Sequence, residues 1–265
     1  MLKSRHAIAP AFRQFRLRTA LVVPFIIQIV AAVGLFSYLS FSNSQRAVNN
    51  LAIQLSESVT KQINQHLENY LNTPHLVQNI TASLIRDGDL DPDNFEQLQD
   101  RFWSDIQLSE AVDYIFLGDR EGRFIGVQNY PDGRTVVKFR DRDTAPQRLV
   151  YLLDRDGDRA QQLKSKEYDP RVRPWYIATL EVKQQTWSPI YASADLGALQ
   201  ITATTPIYDQ TGELRGVLGT NLILSEINKF LNELKIAKSG DAFIIERSAD
   251  IVASSTEEDP YLQIE

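Results

Sequence analysis

The period of the apolar positions changes along the chain. Residues 19–41, TALVVPFIIQIVAAVGLFSYLSF, form an uncharged and mostly apolar run. At about 1.5 Å per residue this gives roughly 34 Å of helix, enough to cross a hydrocarbon core of about 30 Å with some tilt. Pro24 and Gln28 are tolerable inside such a span. Beyond it Val48, Leu51, Leu55, Val59, Ile63, Leu67 and Tyr70 recur at a mean spacing of about 3.7, the period of one long amphipathic helix. That helix is expected to break near Thr73-Pro74. Packing on its own domain and packing on a second copy of the chain both fit the stripe. A loop at 86–92 follows. Asp93, with Glu96 three residues on, then predicts a capped helix reaching Trp103 or Ile106.

From there strand patterns dominate. Residues 112–117, 123–127, 135–139, 149–153 and 186–192 are apolar or aromatic runs, the first two joined by a GDREG turn at 118–122. The clearest hairpin is 199–208 and 214–224 around the turn at 209–212. About seven strands at hairpin spacing, after long N-terminal helices, predict an antiparallel sheet in an α+β domain. Ser225 caps a short helix over 226–234, and 238–240 is a linker. GDAFIIERSADIVA at 240–253 then repeats the plan of VDYIFLGDREGRFI at 112–125, with Asp241 aligned to Asp113. A second, similar lobe therefore begins there. By Glu265 its sheet has too few strands to close a core, so the sequence reads as the front part of a longer polypeptide.

Charge orients this layout. The formal net charge is −6, yet residues 1–18 carry Lys3, Arg5, Arg13, Arg16 and Arg18 and no acid, leaving −11 for the rest. The basic tail places the N-terminus in the cytoplasm and everything after residue 41 outside the cell membrane, in the periplasm or beyond. The long N-terminal region and the lack of an A-x-A site favour an uncleaved anchor over a signal peptide. An acidic exterior argues against nucleic acid as a partner. The absence of cysteine excludes disulfides, thiolate metal sites and cysteine nucleophiles.

Candidate chemistry concentrates in YDPRVRPWY at 168–176. Asp169-Pro170 is an N-cap followed by proline at the first helical position, and Arg171 is placed to brace that turn. Arg173 supplies a planar guanidinium suited to a carboxylate, and Trp175 and Tyr176 supply stiff aromatic faces. A structural reading stands beside this one: Arg173 paired with an acid of the fold, and both aromatics in the core.

Together these pieces resemble the double Cache family, the extracellular ligand-sensing domains of bacterial membrane receptors. The resemblance rests on the basic tail and anchor, the long helix, YDPRVRPWYIA, WSPIY (187–191), ITATTPIYDQTGELRGVLGTNLIL (201–224), LKIAKSGDAFIIERS (234–248) and IVASS (251–255). It implies a PAS-like antiparallel sheet in each lobe and a ligand pocket in the membrane-distal one. The implied organisation is a cytoplasmic tail (1–18), a membrane helix (19–41), a long signalling helix (42–86), the distal lobe (87–234) and the start of a proximal lobe (235–265). In family members that bind amino acids, the arginine and the tryptophan–tyrosine pair contact the ligand carboxylate, and a later tyrosine and an aspartate hold the amino group. Arg173, Trp175 and Tyr176 match the first group and Tyr191 the later tyrosine. The aspartate position carries Asn221, which accepts a hydrogen bond but supplies no counter-charge. Asp195, on a neighbouring loop, is a candidate to supply it.

Other signals carry less. DRDGD at 154–158 lacks the glycine and glutamate spacing of a calcium loop and reads as a hairpin turn. His6, His66 and His75 are dispersed, and no HExxH, G-x-S-x-G or Walker motif is present. The expectation is a non-enzymatic sensor without a cofactor, dimeric through its long helix, that binds a small carboxylate, amino acids included. The alternative is a membrane-anchored interaction or adhesion domain with a degenerate pocket. Family members pass their signal to a kinase, a cyclase or a chemotaxis domain.

Overall fold

The structure, a computed structural model, describes residues 17–108, 112–195, 197–233, 241–245 and 251–256. The chain divides into two units, residues 1–60 and 61–265. Helix α1 (Leu17–Asp87) opens in the first. Among the described residues it is the one helix long and apolar enough to cross a membrane, and it contains the expected span at 19–41. Leu21, Phe25, Ile29, Phe36, Val48, Leu51 and Leu55 are all exposed. Most of the basic tail lies outside the described residues.

In the second unit α1 continues through Pro74 instead of breaking there. Proline removes one helical hydrogen bond, but packing on both sides keeps the segment helical through it. Ile63, Leu67 and Tyr70 pack in one core, and Val77, Leu84 and Ile85 in another. The Gln78 amide donates to Ala203 O at 2.8 Å and to Thr220 at 3.0 Å, and accepts from Thr205 at 2.7 Å. Helix α2 (Phe95–Leu108) starts one residue later than the sequence implied. Its cap is Asn94, whose Oδ1 accepts from the N–H groups of Glu96 and Gln97, each at 3.1 Å. Asp93 instead pairs with Arg123 and Arg215.

Nine antiparallel strands follow: β1 (Tyr114–Asp119), β2 (Phe124–Asn129), β3 (Thr135–Arg140), β4 (Gln147–Leu153), β5 (Arg159–Glu167), β6 (Thr186–Trp187), β7 (Tyr191–Ala192), β8 (Leu199–Tyr208) and β9 (Leu214–Ile223). Their order is β5-β4-β3-β2-β1-β9-β8-β6, with β7 also on β8. This is the α+β antiparallel fold the pattern predicted. Two differences stand out. Strand β5 was not expected, and the single strand at 186–192 is two short ones separated by Ser188, Pro189 and Ile190, since proline donates nothing to a ladder. The segment at 154–158 is the β4–β5 turn, closed by Asp154 N–H to Asp158 O at 2.9 Å.

Alternation divides the sheet into two faces. Ile115, Leu117, Ile125, Val127, Val137 and Phe139 point to a core shared with Leu98, Phe102 and Ile106 of α2. Tyr114, Phe116 and Phe124 point the other way, under Trp175 and Tyr176 of α3 (Pro174–Val182). Helix α4 (Leu224–Glu233) and the hairpin of β10 (Phe243–Ile245) and β11 (Ile251–Ser254) form a third core with Ile63 and Leu67. That hairpin falls where the repeat was read, although residues 246–250 lie outside the described part.

Candidate ligand-binding site

The segment 168–176 is built as two successive helix starts. Asp169 caps a short 3-10 turn (Pro170–Val172) by accepting from Arg171 N, and the Arg171 guanidinium closes on the same carboxylate at 2.6 Å. Arg173 ends that turn and caps α3, with Pro174 at the first position of the helix. This directs Trp175 down onto the sheet, its ring edge-on to Phe116 with centroids 4.9 Å apart. Gly118 makes the approach possible, because a Cβ there would lie 2.8 Å from both Trp175 and Pro170.

Beside this contact lies a narrow cavity of about 20 Å³, where Arg173, Trp175, Tyr191 and Asn221 meet Tyr114, Phe116, Arg148, Tyr168, Asp195 and Gln200. Arg173 is half-buried, its guanidinium 5.6 Å from the Tyr191 ring centroid, and it donates weakly to Ala192 O at 3.4 Å. The Tyr191 hydroxyl shares a 2.7 Å hydrogen bond with Thr202. Thr202 donates to Asn221 Oδ1 at 2.8 Å, and Asn221 Nδ2 donates to Gln200 at 3.1 Å. The Asn221 amide is therefore engaged at both ends by the fold. Tyr176 is not among the lining residues: it is buried against Trp175, and burial, then the Asp119 carboxylate, push its hydroxyl up to about 12.

Sequence reasoning missed the other end of the cavity. Lys138 and Arg148 are buried, on the same face of β3 and β4, because Lys138 pairs with Val150, two residues along the strand from Arg148. Asp195 joins them from the loop after β7. Its carboxylate accepts from Arg148 Nη2 at 2.6 Å and from Lys138, with Lys164 at 3.8 Å. Lys138 also donates to Gln128 and lies 4.7 Å from the Tyr114 ring centroid. Burial brings the lysine pKa down to about 8, against the pull of Asp195. Burial alone would raise Asp195, but Lys138 and Arg148 outweigh it and hold the carboxyl well below its usual range. Asp195 is thus committed to these cations and does not serve as the missing counter-charge beside Asn221. A lysine and an arginine at inward positions of otherwise apolar strands were the signal available for this cluster.

The Cache domain model matches residues 44–264. The chain belongs to the Cache domain family. Among curated proteins, the methyl-accepting chemotaxis protein McpA of Pseudomonas putida is 30% identical over 110 residues, 40% of this chain and 17% of its own length. The methyl-accepting chemotaxis protein PctB of Pseudomonas aeruginosa is 34% identical over 107 residues, 39% of this chain and again 17% of the relative. The matched part is therefore under a fifth of either relative. Among solved structures, the ligand-binding domain of the Campylobacter jejuni chemoreceptor Tlp3, in complex with 4-methylisoleucine, superposes with a TM-score of 0.53 at 15% identity. That match covers 78% of this chain and 70% of the other, and it supports the fold. In this Cache domain the cavity is walled by β1, β9, the β7–β8 loop and the start of α3.

Proposed function

We propose that the chain is the sensing part of a membrane receptor whose cavity around Arg173 binds a small carboxylate. The observation that carries this reading is the convergence of Arg173, Trp175, Tyr191 and Asn221 on one cavity within a Cache fold. Arg173 holds the carboxylate, Trp175 and Tyr191 wall it, and Asn221 accepts or donates at the far side. Residues 19–41 anchor the protein with the N-terminus in the cytoplasm, in keeping with the five basic residues before them. Residues 42–86 form the signalling helix, 87–234 the membrane-distal lobe and 235–265 the start of the proximal one. The exposed Val48, Leu51 and Leu55 are the surface through which two copies pair. The relatives' description as chemotaxis proteins makes chemotaxis the first output to examine, and the 4-methylisoleucine complex of Tlp3 puts amino acids among the first ligands to test.

The test is a thermal-shift titration of the full chain in detergent against amino acids and small mono- and dicarboxylates. A ligand at one hundred times its dissociation constant stabilises by about 2.7 kcal/mol. Arg173→Ala removes that stabilisation. An unchanged response in this variant overturns the role of Arg173, and no response to any acid favours an interaction domain instead.

A further inference from the structure

The uncharged run at 19–41 carries one polar side chain near its middle. Gln28 lies about 14 Å of helix from residue 19 and about 20 Å from residue 41, whereas Thr19, Ser37, Tyr38 and Ser40 are all within about 6 Å of an end. The Gln28 side chain is exposed, and among the described residues its amide has no hydrogen-bond partner. In hydrocarbon no water satisfies such a group, and an amide without a partner there is costly. A bond to another membrane helix removes that cost.

Helical phase shows which side of α1 the amide marks. At about 100° per residue, Leu21, Ala31, Ala32, Leu35 and Leu39 fall within about 60° of Gln28. The two alanines, one turn beyond it, let a facing helix approach closely. Val48, Leu51 and Leu55 fall about 140–200° away, as do Ile26, Val30 and Val33 inside the span. The Gln28 side is therefore not a continuation of the Val48–Leu55 surface, and the two sides serve different neighbours.

The amide also selects its neighbour. A primary amide both donates and accepts, so two glutamines across a two-fold axis satisfy each other, Nε2 to Oε1 in both directions. Copies anchored by the same segment run parallel and carry Gln28 at the same depth, so the pair forms without any shift in register. We infer that Gln28 joins this helix to the membrane helix of a second copy, through reciprocal amide hydrogen bonds on the side of α1 opposite Val48, Leu51 and Leu55. This rests on the reading of 19–41 as a membrane anchor.

The chain contains no cysteine, so the experiment places single cysteines from Leu21 to Leu39 in the full chain, in lipid vesicles, and oxidises them. Disulfide-linked dimers are expected to peak at Leu21→Cys, Ala32→Cys, Leu35→Cys and Leu39→Cys, and to fall at Ile27→Cys and Ile29→Cys, which point sideways. Gln28→Leu, which keeps the span apolar, is expected to lower the Leu35→Cys dimer about three- to tenfold, the weight of an amide bond between membrane helices. Gln28→Asn is expected to retain most of it. Cross-linking confined to Ile26, Val30 and Val33, or equal at every position, overturns the inference and leaves the anchor standing. So does a Leu35→Cys dimer that Gln28→Leu does not change. An unrelated helix on the Gln28 side gives no disulfide at the four expected positions and overturns the second-copy assignment. Release of the chain from the vesicles by alkaline carbonate overturns the anchor as well.

Discussion

Replacing Asp195 by asparagine keeps the side-chain shape and removes the carboxylate charge that faces Lys138 and Arg148. The expected loss of stability depends on pH, and the structure says how. At an effective dielectric constant of about 20, two charges about 4 Å apart attract by about 4 kcal/mol. Losing that attraction lowers the Lys138 pKa further, below its folded value of about 8, in the variant. Lys138 is charged in the unfolded chain up to its ordinary value of 10.5, so the unfolded state binds more protons above the folded pKa and this residue's contribution to stability rises with pH there. In the variant that rise begins lower. The lysine share of the destabilisation is then largest at low pH, at most about 4 kcal/mol, falls as pH rises toward about 8 and is near zero at pH 9. The lost Arg148 contact adds about 2 kcal/mol at every pH. Of the other groups facing Lys138, Gln128 is neutral, burial raises Tyr114 and Tyr130, and Arg148 is raised, so none of these four titrates in this window. Urea unfolding of the full chain in detergent, followed by the fluorescence of its three tryptophans at pH 5.5, 7 and 9, measures the difference directly. A destabilisation that is flat across this range, or grows with pH, refutes the reasoning.

Three further substitutions test the frame of the site. Gly219→Ala places a Cβ 2.2 Å from the Phe116 ring, and since Phe116 lines the cavity the variant is expected to lose about 1–3 kcal/mol of stability and to blunt the ligand response, both read by thermal shift. Asn94→Ala removes the cap of α2 and is expected to cost about 1 kcal/mol by urea unfolding. Asp93→Ala breaks two half-exposed ion pairs and is expected to cost less than that; the reverse order would restore Asp93 as the cap.

What was legible in the sequence followed from local chemistry. The antiparallel sheet, the hairpin at 209–212 and the capped turn at Asp169 are each specified by residues within a few positions of one another. Strand β5, RAQQLKSKE, has no alternation to read, because every side chain on it is exposed; it is a strand only because β4 offers an edge to pair with. Pro74 was a reasonable place to end a helix, and tertiary packing on either side overrode it. The site divides in the same way. Its Arg173 end was visible because 168–176 is contiguous. Its other end is assembled by register: Tyr114 pairs with Gln128, Lys138 with Val150, and Asp195 arrives from a loop 47 residues beyond Arg148. No local pattern encodes that meeting. A lysine within TVVKF and an arginine opening RLVYLL are nonetheless out of place in strands that alternate into a core. Such residues are retained in a buried strand only with a partner. Here Asp195 answers Lys138 and half of Arg148.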